Sequence, residues 1–145
     1  MVPTLAGRLQ TRIWLLLIVG SAVTAWLTPI LAINGTLADR YRVTFVVLAT
    51  VAALGIGWEL LYHFSMQWRW EKDWPTLFGL ITLVPEGILI WRLLEAGLVP
   101  SISGPVNSGA FWIDFIVVWL ATWIVANGPL RVPFIRWRFR GGRFL

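Results

Sequence analysis

Residues 43–64 read VTFVVLATVAALGIGWELLYHF, and this stretch decides the fold class. A helix that crosses the hydrocarbon layer of a membrane needs ~20 mainly apolar residues, and this stretch supplies them with a single acidic residue, Glu59. Similar apolar runs occur before and after it. The sequence therefore predicts an all-α, integral membrane four-helix bundle that forms a single transmembrane domain over residues 1–145, with spans at about 13–33, 43–64, 75–99 and 110–127.

Composition supports a membrane protein. Apolar residues make up 58% of the chain and charged residues 13%, whereas a soluble domain has about 25% charged residues. The four runs occupy most of the length, so a separate soluble domain has no room. The chain contains no Cys, which excludes disulfides and thiolate metal sites. The net charge of +5 lies beside apolar runs, so we expect anionic phospholipid, and no nucleic acid, as its partner.

Proline and glycine mark the ends of the spans. Pro29 is expected to kink or end the first span, Pro75 suits a first helical turn, and Gly128-Pro129 should stop the fourth span. A cleavable signal peptide is the rival interpretation of residues 13–33. That run is longer than the usual apolar core of ~7–15 residues, so a retained span is favoured.

The distribution of Lys and Arg predicts the orientation. Positive residues collect on the cytoplasmic side of membrane helices. The first loop carries Arg40 and Arg42. We therefore expect both termini to face the cytoplasm and the chain to be a multi-pass protein of the cytoplasmic (inner or plasma) membrane. Nine positive residues lie on the side of the termini: Arg8, Arg12, Arg69, Lys72, Arg131, Arg136, Arg138, Arg140 and Arg143.

One carboxylate, Glu86, interrupts the run LVPEGILIW at residues 83–91. Pro85 before it removes a backbone donor and frees the carbonyl of Ile81, which predicts a kink. A carboxyl group at a kink can line an ion or proton path, or it can fasten one helix to a neighbouring helix or subunit. For an isolated carboxylate, the second role, a polar clasp, is favoured.

Other polar residues within the spans form two candidate groups. Glu59 and His63 are four residues apart on one helical face, where they could relay protons or simply bond a neighbouring span near the interface. Arg92, Glu95 and Asp114 are expected at similar depth and predict an ion-paired cluster at the outer surface. With one histidine in the chain and acidic residues at different depths, we expect no haem, metal or other cofactor.

Small residues recur at helical spacing in the second span. Ala49, Ala53 and Gly57 are four residues apart, a spacing that lets helix backbones approach closely. The sequence therefore predicts a helix-packing face here. Gly20, Thr24 and Thr28 of the first span are the residues expected to pack against it.

The tail at residues 128–145 alternates arginine with aromatic residues. Such a polybasic segment next to a span can bind anionic lipid, with each Arg contributing about 1 kcal/mol. RNA binding and docking to a protein partner are the alternatives. The residues expected to bind lipid or a partner are Arg131, Arg136, Trp137, Arg138, Phe139, Arg140 and Arg143.

Several strings also occur together: WELLYH, RWEKDWP, PEG, NGPLR and RWRFRGGR. In this combination the chain resembles small multi-pass membrane proteins of actinobacteria that have no assigned activity. The resemblance covers most of the chain. It implies a cytoplasmic membrane location, and it transfers no functional residue.

These features predict a non-catalytic structural or accessory subunit of a larger membrane complex, with other membrane subunits as partners. The alternative is a small homo-oligomeric channel or transporter with Glu86 in the path of an ion or proton. A membrane enzyme acting on lipid is less favoured, because the sequence shows no set of nucleophile, base and orienting residue and no metal-binding cluster.

Overall fold

A computed structural model of the chain describes residues 4–68, 77–102 and 104–133. All regular secondary structure within these residues is helical. The helices are α1 (Leu5–Leu27), α2 (Leu37–Met66), α3 (Phe78–Ile81), α4 (Leu83–Glu95) and α5 (Ser108–Asn127), followed by a 3-10 turn at Pro129–Arg131. Helix α1 packs against α2 and α5, and α4 packs against the same two helices. Helix α3 packs against α5 and α4.

Three of these helices, α1, α2 and α5, are long and apolar enough to cross a membrane. They correspond to the first, second and fourth predicted runs. The fourth run ends as expected, because α5 stops at Asn127, immediately before Gly128 and Pro129. The all-helical class and the presence of three helices long and apolar enough to span a membrane are thus confirmed for the described residues.

The first helix begins earlier than the predicted span of 13–33. Thr4 caps its N-terminus, where the Thr4 hydroxyl accepts a hydrogen bond of 3.2 Å from the Gly7 amide. The helix contains one π-helical segment, Leu16–Gly20, and it ends at Leu27. Pro29 therefore lies just beyond the helix. The consequence for function is that Arg8 and Arg12 lie within α1 and do not flank it.

The second helix also extends beyond its predicted start at residue 43. Thr36 and Asp39 form a capping box, in which the Asp39 amide donates to the Thr36 hydroxyl at 3.2 Å and the Thr36 amide donates to the Asp39 carboxylate at 3.0 Å. This reciprocal pair satisfies free backbone donors at the helix start. Helix α2 consequently runs from Leu37 to Met66.

The third predicted run, 75–99, is divided in the structure. Helices α3 and α4 are separated at Thr82, directly after Ile81, whose carbonyl loses its usual partner because Pro85 has no amide hydrogen. The helix is thus interrupted where the sequence predicts the effect of this proline. After α4 ends at Glu95, the chain turns at Gly97, which has a φ of +66°.

Tight packing in the core depends on small residues. A Cβ at Gly87 would lie 2.7 Å from both Phe115 and Trp112, so only glycine lets α4 approach α5 this closely. A Cβ at Gly20 would lie 3.3 Å from Leu48, at the contact between α1 and α2. The main buried cluster consists of Leu16, Val47, Leu48, Val51, Ile90, Leu94, Val99, Phe111, Phe115 and Val118.

The predicted packing face of Ala49, Ala53 and Gly57 points away from this core. All three residues are exposed in the single chain, and a Cβ at Gly57 would meet no atom of the described residues within 4 Å. Helix α1 packs on the opposite face of α2, where the hydroxyls of Thr28 and Thr44 lie 2.8 Å apart. Because Thr44, Leu48 and Gly55 supply the closer fit, the three small residues remain available on the outside.

Candidate functional site: a buried arginine–glutamate network

Two arginines of α1 reach across the bundle to a glutamate of α2. Arg8 Nε donates to Glu59 Oε2 at 2.6 Å, and Arg12 Nη1 lies 3.3 Å from Glu59 Oε1. Arg8 and Arg12 are four residues apart and therefore share one face of α1. Their side chains are 16% and 14% exposed, and that of Glu59 is 12% exposed, so the three groups are largely removed from solvent.

Arg12 also binds Glu86, the carboxylate next to Pro85 in α4. Its Nη2 pairs with Glu86 Oε2, and its Nη1 donates to Glu86 Oε1 at 3.2 Å, which gives a two-pronged contact. The Tyr62 hydroxyl donates to the same Oε1 atom at 3.2 Å. The Glu86 side chain is only 1% exposed. Arg12 thus connects α1 with α2 and α4 through a single guanidinium group.

The path of the Arg12 side chain is defined by two further residues. Its guanidinium lies over the ring of Trp119 in α5, with Cζ 5.5 Å from the ring centroid, a geometry that favours a cation–π contact. On the other side, a Cβ at Gly55 would lie 2.6 Å from Arg12 Cζ. Glycine at this position of α2 therefore makes room for the guanidinium, and all four major helices contribute to its surroundings.

The charges of the network balance. Arg8 and Arg12 offset Glu59 and Glu86, so the set has no net formal charge. Removing a charge from water costs several kcal/mol, and a cation in good geometry offsets this cost. Glu86 is held by Arg12 and Tyr62, as expected for a clasp between helices. Both partners of Glu86 belong to the same chain, whereas the sequence left open whether they would come from this chain or from another subunit.

Glu59 and His63 do not form the pair that their spacing suggested. Both oxygens of Glu59 are bound by arginine, and no hydrogen bond joins Glu59 to His63. His63 is half-buried, and its Nδ1 atom has no hydrogen-bond partner among the described residues. A relay that uses these two side chains would require the arginines to release Glu59.

The predicted outer cluster separates into two parts. Arg92 and Glu95 form an ion pair of 3.2 Å, three residues apart on α4, with 74% and 45% of their side chains exposed. Asp114 does not join them, because it points into the bundle and only 6% of the residue is exposed. Its polar neighbour is Thr24 of α1. Counting residues along the predicted spans placed the three side chains at a similar depth in the membrane. In the structure Arg92 and Glu95 are exposed on α4, whereas Asp114 lies on the side of α5 next to Thr24 of α1.

Residues of the predicted lipid- or partner-binding tail, Arg136, Trp137, Arg138, Phe139, Arg140 and Arg143, lie outside the described part of the chain, as does the side chain of Arg131. The network also contains residues that the sequence did not identify as site residues, namely Arg8, Arg12, Tyr62 and Trp119. One signal was present for the arginines. Thr4 is a favourable N-cap residue, and a helix that starts there necessarily contains both of them.

Comparison of this chain with protein-family models, with curated proteins and with solved structures finds no match.

Proposed function

We propose that this protein is a non-catalytic accessory subunit of a larger membrane complex. The observation that carries the proposal is the contrast between the two faces of α2. Its inner face bears Glu59 and Tyr62, which take part in the closed network with Arg12. Its outer face bears Ala49, Ala53 and Gly57, which are exposed, and a Cβ at Gly57 would meet no atom of the described residues within 4 Å.

The closed network supports a scaffold better than a catalyst. Arg12 is engaged by Glu59, Glu86 and Trp119 at once, so it is held in place and is not presented to a substrate. Small residues on an outer face permit close approach of a helix from another protein, and van der Waals packing drives such contacts in lipid. We therefore assign the outer face of α2 to a membrane-protein partner.

The proposed topology has four spans, with residues 75–99 as the third and both termini in the cytoplasm. Arg8 and Arg12 are neutralised within the bundle, which leaves seven positive residues on the terminal side against Arg40 and Arg42. The tail at residues 128–145 would then contact anionic phospholipid of the cytoplasmic membrane.

The absence of Cys allows a direct test of this topology. Cysteines introduced as Val2→Cys and Leu145→Cys should react with a membrane-impermeant thiol reagent from the same side of the membrane, and Pro105→Cys should react from the opposite side. Labelling of Val2→Cys and Leu145→Cys from opposite sides would contradict four spans.

The subunit proposal is tested by native mass spectrometry of the protein extracted gently from its own membrane. We expect a heteromeric mass. Ala53→Leu should remove the partner, because the larger side chain prevents close approach on the outer face of α2. Ala22→Leu, an equal enlargement at an exposed position of α1, is the control and should leave the complex intact. A monomer from wild-type membranes, or an unchanged complex with Ala53→Leu, would contradict the proposal.

A second candidate function is a small homo-oligomeric channel or transporter for ions or protons. The observation in its favour is the row of charged groups inside the bundle, from Arg8 through Glu59 and Arg12 to Glu86. In this case Glu86→Gln should abolish flux in liposomes, whereas Glu95→Gln, at an exposed ion pair, should not. Flux that persists in Glu86→Gln would remove Glu86 from the path.

A further inference from the structure

Asp114 is a buried acid that the arginine–glutamate network does not use. It lies in α5 with 6% of the residue exposed, and its neighbour Thr24 in α1 is fully buried. Asp114 Oδ1 and Thr24 Oγ1 are both enclosed and without a hydrogen bond of good geometry to any described residue. An unsatisfied buried polar atom costs free energy, so this pair of oxygens requires an explanation.

A partly open cavity between α1, α2 and α5 adjoins Asp114. Its volume is about 20 Å³, which exceeds the ~10–15 Å³ that one water molecule requires. Asp114, Trp119 and Thr122 are the polar residues of its lining, and Leu16 and Val118 belong to its apolar wall. Leu16 opens the π-helical segment of α1, and such segments are frequent at functional sites.

Charged groups on the surrounding helices are directed elsewhere. Arg12 of α1 stacks over Trp119 and binds Glu86 of α4, so each neutralises the other. The cavity wall from α2 consists of Val47, Leu48 and Val51, and no described cation forms an ion pair with Asp114. An ionised carboxylate here would be uncompensated, whereas the neutral acid can donate a hydrogen bond to the Thr24 hydroxyl.

We propose that Asp114 and Thr24 form a proton-binding site inside the bundle, and that its proton exchanges through water in the adjoining cavity. The geometry favours a proton over a metal ion. Ca²⁺ takes ~6–8 oxygen ligands, and no group of three His, Cys, Asp or Glu residues suitable for a metal occurs within the described residues. This inference concerns a ligand of the chain itself and does not depend on the accessory-subunit proposal.

Infrared spectroscopy of the full-length protein in lipid tests the protonation. At neutral pH we expect the C=O stretch of a protonated carboxyl group, which shifts when the side-chain carboxyl of aspartate is isotope-labelled. The chain has two other aspartates, Asp39 and Asp73. The band should disappear in Asp114→Asn and remain in Asp39→Asn and Asp73→Asn. A wild-type spectrum without a protonated aspartate band would overturn the proposal, as would a band that persists in Asp114→Asn.

If Asp114→Asn fails to fold, the labelled wild-type protein and the two control variants still decide the outcome, since a band lost in either control belongs to another aspartate and contradicts the assignment.

The role of the cavity is tested by filling it. Val118→Ile adds one methylene group at its wall, and Val84→Ile makes the same change at an exposed position. After transfer into deuterated buffer, the band should shift more slowly in Val118→Ile than in the wild type, and Val84→Ile should match the wild type. An unchanged exchange rate in Val118→Ile would overturn exchange through the cavity.

Discussion

Replacing Glu86 with glutamine tests whether the network holds the helices together. Glu86→Gln preserves the size of the side chain but removes the negative charge that binds Arg12. Removing one partner of a buried ion pair typically costs about 3–5 kcal/mol, because the remaining charge is left buried. Arg12 would retain Glu59, at 3.3 Å, and the cation–π contact with Trp119. We therefore expect a loss at the lower end of this range, about 3 kcal/mol.

The measurement is the free energy of unfolding in mixed micelles, followed by tryptophan fluorescence. Glu95→Gln is the matched control, since Glu95 is also paired with an arginine but lies on the surface of α4. An exposed ion pair of this kind contributes only about 0–1 kcal/mol. The two identical chemical changes should thus differ by at least ~2 kcal/mol. This difference depends on burial, because charge, size and residue type are the same in both variants.

Equal losses for Glu86→Gln and Glu95→Gln would refute the reasoning. They would mean that solvent or lipid headgroups stabilise the charge of Arg12 as well as Glu86 does. The contact between Arg12 and Glu86 would then contribute nothing to the free energy of unfolding. That result would favour the hypothesis that Glu86 lies in the path of an ion or proton, since a carboxylate that is not needed for stability is free to serve transport.

Three further predictions concern the same helices. Arg12→Met leaves Glu86 buried without a cation, and because protonation removes that charge, we expect the loss of unfolding free energy to be smaller at acidic pH than at neutral pH. Gly55→Ala should cost about 2–3 kcal/mol by displacing the Arg12 guanidinium, whereas Gly57→Ala, which meets open space, should be neutral or stabilise by up to ~1 kcal/mol. Gly97→Ala should cost about 1–2 kcal/mol in the same unfolding assay, because its φ of +66° strains any side chain, and a neutral result would contradict this.

The helical class and several helix ends could be predicted from the sequence because they depend on local properties. The apolar runs identified α2 and α5 as helices long enough to span a membrane, and Gly128-Pro129 marked the end of α5. Pro85 predicted the break next to Ile81, since the missing amide hydrogen is a property of one residue. The starts of the helices were harder to predict from the sequence. The capping residues Thr4 and Thr36 were visible in the sequence, but hydropathy placed both starts several residues too late.

The composition of the site could not be predicted in the same way. Counting residues along a helix gives the depth of a side chain but not its orientation relative to helices elsewhere in the chain. Arg12 was assigned to the side of the termini because it precedes the predicted span at 13–33. In the structure it lies within α1 and pairs with two acids that are 47 and 74 residues away in the chain. The same limitation placed Asp114 beside Arg92.

Glu86 and Asp114 are both buried acids, but their surroundings predict opposite responses to amide substitution. Glu86 has a cation as its partner, whereas Asp114 interacts with the Thr24 hydroxyl and forms no ion pair with any described residue. If Asp114 carries a proton, asparagine matches its shape and its neutral charge, and Asp114→Asn should change the unfolding free energy by less than ~1 kcal/mol at neutral pH. A loss as large as that of Glu86→Gln would show that Asp114 is ionised and stabilised by a partner. The two substitutions together therefore separate a charged clasp from a protonated site within one bundle.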